Sequence, residues 1–153
     1  MTGTSYRIKG EGFHQVREVL HTLENPDLLP LLDALGMELE SQTRRRISDE
    51  KTAPDGTPWD EWSERYAETR HQGQSLLQGE GNLLDSIQYE VVGGDAVEWG
   101  SNLIYAAIHQ HGGTADMAPG PAAVPAREYL GLSRGNANDL DAIALDWAEE
   151  LLH

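Results

Sequence analysis

The chain has 153 residues, no cysteine, 39% apolar residues and a formal charge of −15. That length suits one domain with its own core, while the missing cysteines exclude disulfides, thiol catalysis and thiolate zinc sites. The negative balance opposes binding to duplex DNA or anionic membrane, both of which need clustered Lys and Arg.

Residues 1–8 carry no apolar signal core, and no apolar run approaches the roughly 20 residues that span a bilayer. The expectation is a soluble, intracellularly made protein with no membrane partner. Alternation over Ser5–Lys9 predicts a short strand with Tyr6 and Ile8 on one side. Gly10-Glu11-Gly12 ends it. From Phe13 the period becomes helical: Phe13, Val16, Leu20 and Leu23 share a face bordered by Val19. Asn25-Pro26-Asp27 stops this helix, because a residue before proline disfavours the α region. A second helix follows, with Leu28, Leu31, Leu32, Leu35 and Leu39 as its apolar stripe and Ile47 extending it. Asp27 is its expected cap, with Pro30 in the first turn. The two helices form a helical hairpin. Arg44-Arg45-Arg46 closes the second, where cations suit the negative end of the helix dipole. The alternative is a contact to an acidic partner or nucleic acid.

Residues 48–82 are polar and poorly periodic and read as an irregular arm. Pro54-Asp55-Gly56 supplies its turn chemistry. Trp59 and Trp62 either pin the arm to the body or anchor a neighbouring subunit. Ser63–Arg70 reads as a short helix and Gln72–Gly81 as loop. Asn82-Leu83-Leu84-Asp85-Ser86 leads into alternating Ile87, Tyr89 and Val91. Val97 and Trp99 alternate on the other side of Gly93-Gly94, so the pair reads as a β-hairpin. Leu103–Gln110 predicts a short helix ended by Gly112-Gly113.

Residues 113–125 are rich in Gly, Pro and Ala, offer nothing to a core and read as a flexible loop. Beyond Pro125, Glu128, Leu130 and Leu132 alternate with Arg127 and Tyr129 as a strand. A turn over Arg134–Asn138 precedes the last helix, whose stripe is Leu140, Ile143, Ala144, Trp147 and Leu151. Its Glu149 and Glu150 sit at the end where the dipole disfavours anions, so they answer to something other than helix stability. Residues 81–153 hold 11 acidic against 2 basic residues. The elements sum to an α+β fold in a single domain, 1–153: a small, mostly antiparallel sheet packed with the helical hairpin and a C-terminal helix. Leu35, Leu39, Ile143 and Trp147 are expected in its core.

Site chemistry is sparse. His109 and His111 would share a face on a strand, but on a helix they lie about 200° apart, and zinc needs three or four converging ligands. The preceding Tyr-Ala-Ala-Ile favours helix. There is no His-Glu-x-x-His, no Gly-x-Ser-x-Gly, and no Lys-Ser/Thr after Gly79-Glu80-Gly81. No catalytic residue, metal or cofactor is expected. The rival reading is a small metal-dependent hydrolase using His109, His111 and a carboxylate.

Four ordered stretches carry more than any site. They are Ala53-Pro54-Asp55-Gly56-Thr57-Pro58-Trp59, Asn82-Leu83-Leu84-Asp85-Ser86-Ile87, Tyr105-Ala106-Ala107-Ile108-His109-Gln110-His111-Gly112-Gly113 and Val124-Pro125-Ala126-Arg127-Glu128-Tyr129-Leu130-Gly131-Leu132-Ser133. In this order they resemble the phage virion morphogenesis family, the Mu-like tail-completion proteins. Two positions depart from the family pattern: Gly79-Glu80-Gly81-Asn82 replaces a Thr-Gly-x-Leu type sequence, and Glu128 stands where proline is common. The resemblance implies a non-enzymatic virion component, assembled in the host cytoplasm and acting at the head–tail junction or tail end. It implies a homo-oligomeric ring, hexameric by preference, with other neck and tail proteins as partners and DNA passing without specific binding. A negative bore would repel phosphates. Trp59, Trp62, His109, His111, Arg127 and Tyr129 are the expected subunit-interface residues. Arg127, in a half so poor in cations, either forms an exposed pair with a carboxylate or makes a desolvated contact to a neighbour.

Overall fold

The computed structural model describes residues 3–79, 81–113, 115–117 and 124–153. Its strands are β1 (Thr4–Lys9), β2 (Ile87–Val92) and β3 (Ala96–Ser101), antiparallel in the order β1-β3-β2. β2 and β3 form the expected hairpin, with Val92 opposite Ala96 across Gly93, Gly94 and Asp95. β1 pairs with the other side of β3, setting Tyr6 opposite Trp99 and Ile8 opposite Val97. Because side chains alternate along a strand, one face carries two apolar rows, Ile8-Val97-Val91 and Tyr6-Trp99-Tyr89. The reverse face is polar. There Arg7 donates to Glu98 at 2.7 Å and Ser5 at 3.1 Å, which together hold that carboxyl below the usual range.

Helix α1 spans His14–Thr22 and α2 Leu29–Arg45. α2 lies across the apolar face of the sheet, burying Leu31, Leu32, Leu35 and Leu39 as its stripe predicts. Asp27 does cap, but from one position further out: Leu28 takes the boundary position, and Asp27 Oδ1 accepts the Leu29 N–H at 3.0 Å. Gly36 sets the spacing between helix and sheet, since a Cβ there would stand 2.1 Å from the Tyr89 ring. The Tyr89 hydroxyl donates to Asp33 at 2.7 Å, and that bond is the main cause pushing its pKa up to about 12. The Trp99 indole donates to Thr43 Oγ1 at 3.2 Å, tying the central strand to the far end of the same helix.

Two single-turn helices follow: α3 (Glu64–Ala67) in the arm, and α4 (Asn82–Ser86) at the entry to β2. α5 is Ala106–His111, stopped by Gly112 at φ 77°, a left-handed value that glycine adopts without a Cβ penalty. α6 is Arg134–Leu152 and packs against both α1 and α2, which it braces together. Most of the 113–125 loop lies outside the described residues. Its base is closed by the Gly113 N–H donating to Val124 O at 2.8 Å.

The structure departs from the sequence expectations in several places. In α1, Val16 and Val19 are buried while Leu20 is 42% exposed. The i, i+3 pair faces α6, and Leu20 turns toward a cleft beside β1. α6 begins at Arg134, so the expected turn over Arg134–Asn138 is its first turn. Ser133 Oγ accepts the Asn136 N–H while Asn136 Oδ1 accepts the Ser133 N–H, both at 3.0 Å, a reciprocal capping box. The buried stripe of α6 is Leu140, Ala144 and Ala148. Two alanines let the helix lie close, leaving Ile143 and Trp147 half-buried at the flanks and Leu151 41% exposed. Residues 127–132 form no strand, because both Tyr129 and Leu130 are buried and side chains meet their backbone groups.

Leu35→Ala should cost about 2–5 kcal/mol in urea unfolding, the range for a buried leucine truncation. Gly36→Ala should cost about 1–3 kcal/mol, because the Tyr89 ring must shift to admit the methyl.

Candidate functional site

Between Arg127 and Gly131 the chain buries Arg127, Tyr129 and Leu130, yet among the described residues it pairs with no strand. Two side chains act in place of one. Gln110, on α5, accepts the N–H groups of Tyr129 at 3.1 Å and Leu130 at 3.0 Å through Oε1. Its Nε2 donates to Leu130 O at 3.1 Å. Arg46 reaches the same segment from the end of α2, where the helix widens into a π turn over Arg46–Glu50. Its guanidinium donates to Tyr129 O at 3.2 Å, Gly131 O at 3.1 Å and Asn136 Oδ1. Arg46 is 1% exposed, and burial lowers its pKa from the ordinary arginine value. Only the first two arginines of the triplet match the helix-end expectation: Arg44 and Arg45 stay nearer the surface, paired with Glu40 and Glu38.

The arm is tied down by the same kind of bond. Lys51, in a left-handed conformation at φ 56°, donates to Ile47 O, Ser75 Oγ, Leu76 O and Gln78 Oε1. Trp59 is buried, and its indole N–H donates to Glu128 O at 3.0 Å. Arg127 Nε donates to Asp60 O at 2.9 Å and Nη2 to Glu61 O at 3.4 Å. Its partners are therefore backbone carbonyls of its own arm, rather than the carboxylates that the surrounding acidity suggests. Desolvation lowers its pKa.

Between the arm and α5 lies a groove of about 710 Å³, lined by Trp62, Tyr66, Arg70, Tyr105, His109 and Arg127 among others. Its walls are pre-organised. Trp62 meets Tyr66 edge to face at 6.0 Å, Arg70 stacks over the Tyr66 ring at 4.3 Å, and Tyr105 meets His109 edge to face at 6.0 Å. His109 Nδ1 is buried without a hydrogen-bond partner. Burial, and then the Arg127 charge, lower its pKa from the ordinary histidine value. Of the lining residues Tyr105 is 44% exposed and Tyr66 48%, and Ile104, the residue before Tyr105, is 91% exposed.

Of the expected interface residues, the groove brings together Trp62, His109 and Arg127. Trp59 and Tyr129 belong to the hydrophobic core cluster beneath it, and His111 is exposed at the end of α5. α5 is helical, so His109 and His111 point apart. Among the described residues no group of three His, Asp or Glu converges to hold a metal, and the hydrolase reading has no assembled site there. Arg46 was legible only as part of a charge run. Gln110 and Lys51 carried no sequence signal, since their role appears once the fold brings backbone carbonyls to them.

Residues 11–149, which span the arm, the groove and the buried segment, match the model of the phage virion morphogenesis family. The chain belongs to that family. It is 41% identical over 110 residues to the putative capsid assembly protein G of Escherichia phage Mu, covering 69% of this chain and 70% of that protein. No solved structure matches. The chain is a phage virion assembly protein.

Gln110→Leu removes the acceptor of two buried N–H groups and the donor to one carbonyl. Each unpaired group costs about 1–3 kcal/mol, so the unfolding midpoint in urea should fall sharply. Arg127→Lys puts a point charge where two carbonyls meet a planar fork. The circular dichroism spectrum should hold while amide exchange over residues 60–70 speeds up. For His109 the folded pKa is the lower one. Below the ordinary histidine value the unfolded chain therefore takes up a proton first, and stability falls as pH drops toward the folded value. His109→Gln should flatten that part of the fall between roughly pH 7 and pH 5.

Proposed function

We propose that the chain is a tail-completion, tail-terminator or head–tail joining protein. It assembles in the host cytoplasm as a ring of roughly six copies at the neck or tail end, in contact with other neck and tail proteins. The observation that carries this reading is the lip of the aromatic groove. Scattered exposed leucines are ordinary on a monomer, but Tyr66 and Tyr105 stand nearly half exposed on a preformed pocket, and Ile104, next to Tyr105 in the chain, is 91% exposed. Aromatic residues and arginine in such pockets are what protein interfaces use as anchors. Trp62, His109 and Arg127 are then the contact residues. Trp59 and Tyr129 hold the walls from beneath, and His111 extends the contact along α5.

The formal charge of −15 suits a ring through which DNA moves without binding. Family membership supports a structural role over catalysis.

Light scattering on the purified protein should give a mass near six chains. Ile104→Asp should give a monomer with unchanged circular dichroism, and particles assembled with it should lack stably attached tails. A wild-type protein that stays monomeric at every concentration, and in the presence of tail tubes, would remove the ring reading.

A further inference from the structure

We propose that a second surface, the cleft between β1 and α1, receives the acidic end of α6 from a neighbouring copy of the chain. This rests on the self-assembly reading above and supplies it with a specific junction. The cleft has a volume of about 670 Å³ and is lined by Arg7, Lys9, Arg17, His21, Ile8 and Leu20 among others. Apart from Arg65 and Arg134, which also show no side-chain partner among the described residues, the protein's other cations are committed. Arg46, Lys51 and Arg127 are committed to carbonyls inside the fold, Arg44 and Arg45 are paired with Glu40 and Glu38, and Arg70 stacks on Tyr66. The side chains of Lys9 and Arg17 have no ion-pair or hydrogen-bond partner among the described residues. Beside them lies Leu20, a residue whose helical position suits a core and which is 42% exposed instead.

The end of α6 carries the complement. Asp146, Glu149 and Glu150 are exposed there, with Leu145 at 43% and Leu151 at 41% exposure. Leu151 falls on the same helical face as the buried Leu140, Ala144 and Ala148, yet it stays 41% exposed. Glu149 and Glu150 stand at the negative end of the helix dipole, where they do not help their own helix. Free cations around an exposed leucine face free anions around exposed leucines, and neither set serves the subunit that carries it. A contact between two different patches of identical subunits is the heterologous kind that closes rings.

Nucleic acid is the poorer occupant. Arg7 is already held by Glu98 at 2.7 Å, and Glu11 shares the cleft, which leaves two unpaired cations against a phosphate backbone.

The test is a charge exchange read by light scattering and sedimentation. Lys9→Glu with Arg17→Glu reverses the cleft, and Glu149→Lys with Glu150→Lys reverses the helix end. All four positions are exposed, so both proteins should keep the wild-type circular dichroism and melting. Each alone should assemble about tenfold more weakly or worse, as lost charge pairs at an interface do. An equimolar mixture should assemble again, because each reversed surface meets its reversed complement. Wild-type assembly should weaken between roughly 50 mM and 500 mM salt.

If both reversed proteins assemble like the wild type, the junction is wrong while the ring stands. If the wild type itself never assembles, the ring reading fails first. If reversing the cleft leaves assembly intact but abolishes binding of a labelled DNA duplex, the cleft belongs to nucleic acid and the inference is overturned.

Discussion

A stretch of buried backbone without a neighbouring strand is the constraint on which this molecule turns. Tyr129 and Leu130 are both inside, so their N–H and C=O groups have lost water and must find partners. Gln110 meets three of those groups and Arg46 another, with one more carbonyl at Gly131. Through Asn136 the same arginine touches the capping box that starts α6. One guanidinium thus joins the end of α2, the buried segment and the start of α6. The groove inherits its rigidity from this arrangement, because Arg127 and Glu128, which hold the arm, are the next residues along that segment.

The arm repeats the device. Lys51 gathers carbonyl and side-chain oxygens from two ends of an irregular stretch, and Arg127 binds two more carbonyls. Cations that bind carbonyls shape loops without asking them to form ladders. Irregular backbone can present an aromatic side chain such as Trp62 where a sheet would alternate it away. The antiparallel sheet and α2 supply the rigid body on which those surfaces are mounted.

Much of the fold was legible in the sequence because period identifies element type directly. The stripe of α2, the Gly93-Gly94 hairpin and the Gly112 stop all stand as read. Period says which side chains share a face, but not how far a neighbour extends to cover it. Leu20 and Leu151 lie on apolar faces and remain exposed for that reason. Alternation at Arg127–Leu132 resembles a strand because the segment is extended, yet extension does not require a ladder when Gln110 and Arg46 stand in for one. The arginine triplet reads as a charge block because sequence cannot show that its last member turns inward. Of the groove, Trp62, His109 and Arg127 were visible as odd residues for their surroundings. Tyr105 was not, because an aromatic residue entering a short helix looks like core until exposure is known.

The distance along the chain over which Arg46 acts bears on synthesis. Its partners lie 83 to 90 residues downstream, and β1 waits for β3 over a comparable span. A nascent chain leaving the ribosome therefore carries a helix with an unmet guanidinium and a lone edge strand until residue 136 has emerged. Such long-range closure makes folding slow and late, and the half-made subunit exposes the leucines of α2 meanwhile. Completion of the subunit thus waits for residue 136. Until then no partial chain has a finished groove, since Arg127 closes it against the arm.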